Sequence, residues 1–167
     1  MNLELENLKR NRAVFDQLLS GITSIEYTWH EREGKWSLLQ VVCHLYDEER
    51  EDFRARVKSV LENPELHFSK IDPVAWVEER NYAGQDYQVM LSKFLQERDA
   101  SIAWLSSLNN PEWDNAYDHP KVGPITARFL LTNWVAHDYL HIRQIIRIKY
   151  HYLQFQSGQS LDYAGEW

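Results

Sequence analysis

Residues 126–156 read TARFLLTNWVAHDYLHIRQIIRIKYHYLQFQ, and their apolar groups recur at the spacing of one face of an α-helix. The inward line runs through Leu130, Trp134, His137, His141, Ile145, Ile148 and Tyr152, in steps of four, three, four, four, three and four. Two histidines therefore lie on a stripe that must face a core. An i, i+4 pair stacks two imidazoles on one helical face, within reach of a single cation. A helix of this length needs partners to cover its apolar stripe.

Three other segments supply them. Residues 3–19 place Leu5, Leu8, Val14, Phe15, Leu18 and Leu19 at approximately helical spacing, with Gly21 as a stop. After a loop through Trp36, Ser37 and Gln40 form a capping-box pattern ahead of Leu38, Val41, Val42 and Leu45. This second helix is predicted to run to about Glu62, where Asn63-Pro64 ends it. Residues 67–86 carry turn signals at Asp72-Pro73 and Ala83-Gly84 and read as a long connection with one short helix, sufficient for a crossover. A third helix is predicted from near Asp86 through Met90, Leu91, Phe94, Leu95, Ile102 and Leu105 to Leu108, before Asn109-Asn110-Pro111. Residues 112–126, EWDNAYDHPKVGPIT, are turn-rich, and the fourth helix then runs from about Thr126 to Gln156, ahead of Ser157-Gly158. Four long amphipathic segments with almost no strand alternation predict an all-α four-helix bundle, one domain over residues 1–167.

Composition narrows the function classes. Gly 6 and Pro 5 are too few for a disordered or fibrous chain, and 13% aromatic residues, with seven Trp, point to a core or cleft lined by rings. Asp and Glu outnumber Lys and Arg 25 to 18, and a net charge of −7 argues against a nucleic-acid partner. No apolar run approaches the length of a membrane span. A lone Cys43 and an N-terminus, MNLELENLKRNRAVF, without an apolar leader fit a reducing cytoplasm.

Chemistry concentrates in the histidines. His44 stands three residues after Val41 and four before Glu48, on or beside the apolar face of the second helix, where it can meet His137 and His141. Inward imidazoles cost desolvation unless their nitrogens find partners, and one shared metal ion satisfies a nitrogen on each ring. Hydrogen-bonded core histidines are the alternative, and the spacing admits both. Imidazole suits zinc, nickel, iron or copper. His119 falls in a loop, and His30, His67 and His151 lie in connections or near a helix end, so all four read as surface residues. Cys43 projects about 100° away from His44 around the helix and reads as a small core residue. Glu48 is a candidate fourth ligand, an acceptor behind a ligand or a general base; equally, it belongs to the acidic run DEERED on a solvated face. Asp138, beside His137, suits orientation of an imidazole N–H or a salt bridge to a neighbouring helix. Trp36, Trp134 and Tyr139 are candidate walls for a substrate.

These segments resemble the DinB-like (DinB/YfiT-like) superfamily. GKWSLLQVVCHLYDEEREDFRAR, residues 34–56, is similar to that family's first metal-ligand helix with its H-L-x-D-x-E-R pattern. WVAHDYLHIRQI, residues 134–145, is similar to its H-x-x-x-H-x-x-Q-I helix. HPKVGPIT, residues 119–126, resembles the loop before its last helix, and LDYAGEW, residues 161–167, a tail frequent at its C-terminus. The resemblance implies an up-down-down-up four-helix bundle with a long crossover, and three histidine ligands that fall by position on His44, His137 and His141. It further implies one divalent transition metal, zinc or nickel, in a metal-dependent enzyme acting on a small molecule, with homodimerisation common. Its better-understood relatives include S-transferases and isomerases that use low-molecular-weight thiols such as bacillithiol or mycothiol, and others are labelled hydrolases. The expectation is therefore a three-histidine site that activates a thiol or water for S-transfer or hydrolysis. The competing expectation is a non-catalytic metal-binding or stress-related interaction protein in which the metal staples two helices and a fourth ligand such as Glu48 closes the shell.

Overall fold

Leu8, Phe15 and Leu19 are fully buried on α1 (Leu3–Leu19), the first of the four predicted helices. The computed structural model describes residues 3–165, so Glu166 and Trp167 of the LDYAGEW tail lie outside the described residues. A short α2 (Ser24–Thr28) interrupts the loop that follows. α3 (Leu38–Glu48) starts where the capping box predicts: the Ser37 hydroxyl accepts from the Gln40 N–H, and the Gln40 side chain accepts from the Ser37 N–H. The helix then passes through a π-helical turn at Glu49–Phe53 and continues as α4 (Arg54–Glu62). The turn interrupts what the sequence pattern predicts as one continuous helix. A π turn carries one extra residue, which shifts the downstream face by about 100°. Asp47, Glu48 and Glu49 are all buried, at 4%, 4% and 2% exposed, so the run expected on a solvated face points inward there.

The connection over residues 63–86 holds α5 (Trp76–Glu79), the short helix expected, and leads to α6 (Tyr87–Ser107), capped by the Asp86 carboxylate accepting from the Val89 N–H. The turn-rich segment contains a hairpin, β1 (Ala116–His119) antiparallel to β2 (Gly123–Thr126), with Tyr117 opposite Ile125. Tyr117 is buried and its ring lies 4.3 Å from that of Phe68, so the hairpin closes one end of the bundle. α7 (Ala127–Ser157) is capped by Thr126 and stops at Gly158, whose φ of 65° is the left-handed conformation glycine adopts freely.

Contacts fix the helix directions. Thr132 meets Glu4 and Asn11 meets Asp138, so α1 and α7 run parallel. Tyr46 meets Lys93, Glu49 meets Arg98 and Arg54 meets Ser101, so α3–α4 and α6 also run parallel. Phe15 meets Phe94 while Arg12 meets Asp99, and His44 meets His141 while Phe53 meets Trp134, which makes the two pairs mutually antiparallel. This is the up-down-down-up bundle, and residues 63–86 are its crossover. Among the described residues, no helix is long and apolar enough to cross a membrane.

Two apolar clusters fill the bundle, one around Phe15, Val41, Val42, Phe94 and Ile145, the other around Leu8, Val57, Leu131 and Trp134. Arg98 joins them: its guanidinium lies 5.7 Å from the Phe94 ring and 5.8 Å from Phe15 and Trp134. It donates to both oxygens of Glu49 at 2.9 Å and both oxygens of Asp138 at 2.7 Å. Asn11 donates to Asp138 at 2.9 Å and the Trp134 indole to Glu49 at 3.0 Å. Removing one partner of such a network leaves buried charge uncompensated. Arg98→Met should therefore lower unfolding free energy by about 3–5 kcal/mol in urea titrations. Arg12→Ala, which breaks the partly exposed pair with Asp99, should cost at most about 1 kcal/mol. Equal costs would mean that the buried network does not carry the fold.

Candidate functional site

The inward stripe of α7 presents His137 and His141, and α3, crossing antiparallel, presents His44. Their Nε2 atoms form a triangle: 3.4 Å from His44 to His137, 3.1 Å from His44 to His141, and 3.0 Å between His137 and His141. Each pair is within hydrogen-bond reach, and a neutral ring that donates from Nε2 has only one proton to share among the three nitrogens. A cation seated against the three nitrogens accepts all three lone pairs. Tetrahedral zinc with about 2.0–2.1 Å bonds to nitrogen needs ligand atoms about 3.3 Å apart, close to what this triangle offers. Among the described residues, no carboxylate or thiolate joins the cluster.

Surrounding groups set the protonation of the rings. Gln144, one turn after His141, places its side-chain oxygen 2.8 Å from His141 Nδ1. With the proton on Nδ1 donated to that oxygen, the Nε2 lone pair faces the triangle. Burial, then the neighbouring His141, pushes His44 down to about 3. Burial, then His141 and His44, pushes His137 down to about 2, and burial lowers His141 as well. All three rings are thus neutral at pH 7, the form that binds a cation. Trp36 packs 5.0 Å from the His44 ring and Phe53 4.8 Å from the His137 ring.

The remaining candidates scatter. Trp134 is fully buried, its indole held by Glu49, and stands one ring removed from His137 behind Phe53. Tyr139 is 50% exposed on the outer side of α7. Glu48 lies outside the histidine cluster; burial and the adjacent Asp52 carboxylate raise it well above the usual carboxylate range, and the two acids share a hydrogen bond. Asp138 takes the salt-bridge role, to Arg98. Cys43 is fully buried beside the Tyr82 carbonyl, and burial pushes its thiol up to about 12, so it stays protonated. His30 and His67 are exposed, His119 and His151 half-buried, and none joins the triangle. Sequence reading missed Phe53 and the Glu49–Arg98 pair: the π turn that aims the first has no spacing signature, and Arg98 looks like any surface cation between Leu95 and Ile102. A cavity of about 670 Å³ opens beside His141, lined by Leu140, Arg143, Gln144 and Arg147. A more apolar groove of about 490 Å³, lined by Leu18, Tyr152 and Leu153, touches none of the three histidines.

The sequence profile of the DinB superfamily matches residues 7–145, a span that contains all three histidines. The chain belongs to the DinB superfamily. Among solved structures it is similar to YfiT from Bacillus subtilis, described as a probable metal-dependent hydrolase with an unusual four-helix bundle topology. The two share 23% identity at a TM-score of 0.76, over 94% of this chain and 87% of that one, which establishes the common fold. No curated protein matches the chain. In this DinB protein the small β1–β2 hairpin and the π turn decorate an otherwise helical bundle.

The depressed histidines make the metal-free protein sensitive to acid. Their folded values lie below 6.5, so the unfolded chain takes up protons first; the stability they contribute is complete above about pH 6.5 and is lost as pH falls toward 3. Chelator-treated protein should melt at progressively lower temperature between pH 7 and pH 4, and a His44→Leu/His137→Leu/His141→Leu variant should show a distinctly shallower decline. Parallel declines would contradict buried neutral imidazoles.

Proposed function

We propose that the protein is a metal-dependent enzyme acting on a small molecule, with His44, His137 and His141 holding one divalent transition metal, zinc or nickel. The observation that carries this reading is the triangle of Nε2 atoms, 3.0–3.4 Å on a side, with no fourth protein ligand among the described residues. Three protein ligands leave coordination open, the arrangement of catalytic rather than structural sites. The bound metal would supply a Lewis-acid position at which water or a low-molecular-weight thiol loses its proton near neutral pH. Hydrolysis is the favoured reaction, since YfiT, of the same fold, is described as a probable metal-dependent hydrolase; S-transfer from a thiol cosubstrate uses the same centre.

The chain's own residues prepare that centre. Gln144 fixes the tautomer and ring orientation of His141. Trp36 and Phe53 cover the His44 and His137 rings, restricting water on that side. The cavity beside His141 is the approach left to a substrate. Glu48 is assigned no step, because its carboxyl is engaged with Asp52. The absence of a closing fourth ligand weighs against a metal that only staples α3 to α7.

Metal content decides the matter. His44→Ala, His137→Ala and His141→Ala should each remove most of the metal measured by plasma spectrometry while the helical circular dichroism persists. Gln144→Ala should weaken affinity by about 10- to 100-fold, as for residues that only orient a ligand, and His119→Ala should change nothing. Retention of metal in all three histidine variants would refute the site. A hydrolysis and thiol-transfer screen of metal-loaded protein, with His141→Ala as the blank, tests the activity.

A further inference from the structure

The charge of the molecule reverses at the mouth of the histidine site. The chain carries a net charge of −7, yet the cavity beside His141 is lined by Arg143 and Arg147 and by no acid. An adjoining recess of about 110 Å³ shares Gln144 and Arg147 with it and adds Lys35, Trp36, Ile148 and Glu31. Three cations and one carboxylate thus surround the approach. Arg147 pairs with Glu31 at 3.1 Å, whereas neither the Arg143 guanidinium nor the Lys35 ammonium has an acidic partner among the described residues.

Ordinary helix chemistry does not explain this arrangement. Leu140, Arg143, Gln144 and Arg147 follow one another at i, i+3, i+4 and i+7, so the two arginines stack as an i, i+4 like-charge pair, which is mildly destabilising. The positions that could relieve Arg143 on its own helix are Tyr139, Leu140, Ile146 and Arg147, none acidic. The helix ends at Ser157, too far for its terminal dipole to favour these cations. Two guanidinium groups one turn apart, beside a site that needs a substrate, suit a carboxylate or phosphate, whose oxygens they can engage bidentately.

We propose that the substrate, or the thiol that accompanies it, bears an anionic group, carboxylate or phosphate, that Arg143 and Arg147 hold while the reacting atom reaches the three histidines. Trp36, in the same recess and against His44, offers an apolar surface to the part between. Engagement of the anion competes with the Arg147–Glu31 pair, and Lys35 lies alongside as a further cation. The inference rests on the metal-dependent reading of the site, but the anion site can be tested without metal.

On metal-free protein, side-chain NMR of the arginine Nε–H groups is followed while inorganic phosphate or acetate is added at matched ionic strength, with chloride as reference. Saturable shifts of Arg143 and Arg147 are expected with at least one anion; the tighter one identifies the group. Shifts no larger than with chloride would overturn the proposal. In a second arm, cobalt-loaded protein is titrated with 3-mercaptopropionate and with uncharged 2-mercaptoethanol, read by the thiolate-to-cobalt absorption. Wild type should favour the carboxylate thiol by about 5- to 10-fold, the worth of a charge-assisted contact in a half-open cleft. R143Q/R147Q should bring that ratio near one with metal content and mercaptoethanol affinity unchanged. Equal affinities in wild type, or a preference surviving the double substitution, sinks the anion site. Failure to bind cobalt sinks the metal reading instead, and the metal-free titration then decides the anion site by itself.

Discussion

The four helices meet at one buried cation. Arg98 of α6 is 1% exposed and bridges Glu49 of the second bundle helix to Asp138 of α7, while Asn11 of α1 closes on Asp138 and Trp134 on Glu49. Every helix contributes a member. Burying three charges is expensive, and the expense is met only when all the partners are in place together. The network therefore tolerates essentially one registration of the helices, which apolar packing alone would leave freer to slide.

That registration positions the histidines. Asp138 adjoins His137 and lies one turn before His141, so an α7 pinned through Asp138 has its two imidazoles fixed in rotation. Glu49 begins the π turn that ends at Phe53, whose ring covers His137. The same ion network thus orients both walls of the site, one by fixing α7 and the other by anchoring the irregular turn opposite. A π turn weakens a helix, and its survival here is explained by what it allows: Glu49 reaches Arg98 while Asp47 separately reaches Arg80 and Tyr82.

Polarity is sorted into layers. Acidic groups fill the interior beside the second helix, Asp47 and Glu49 paired with arginines and Glu48 sharing a hydrogen bond with Asp52, whereas the solvent side of the histidine site collects arginine and lysine. Neutral imidazoles lie between them, held neutral by burial and by one another. The interior carboxylates are compensated by Arg80 and Arg98, so the field at the three imidazoles is set mainly by their own burial and by one another.

Sequence by itself determined the helices and the stripe. The spacing of residues 126–156, the Ser37–Gln40 capping box and the proline and glycine stops are local properties, and local hydrogen bonding and apolar periodicity act within a few residues of themselves; the bounds of all four helices followed from them, as did the placement of His137 and His141 on one inward face. The crossover was legible because a long turn-rich segment separates two helices. Only the tertiary structure decided that His44 joins the other two, since a residue beside an apolar stripe can turn either way until a partner helix fixes it. It likewise decided that DEERED turns inward and that Arg98 is buried: an isolated charge on a helix looks solvated unless the opposite charge, 40 or 49 residues away in sequence, is seen to wait for it. The hairpin at 116–126 was hidden for the same reason, because its strands are too short to alternate convincingly and are held by Phe68 from the crossover. Contacts between distant segments carry no periodicity, and that is the physical limit on what one chain read in order can disclose.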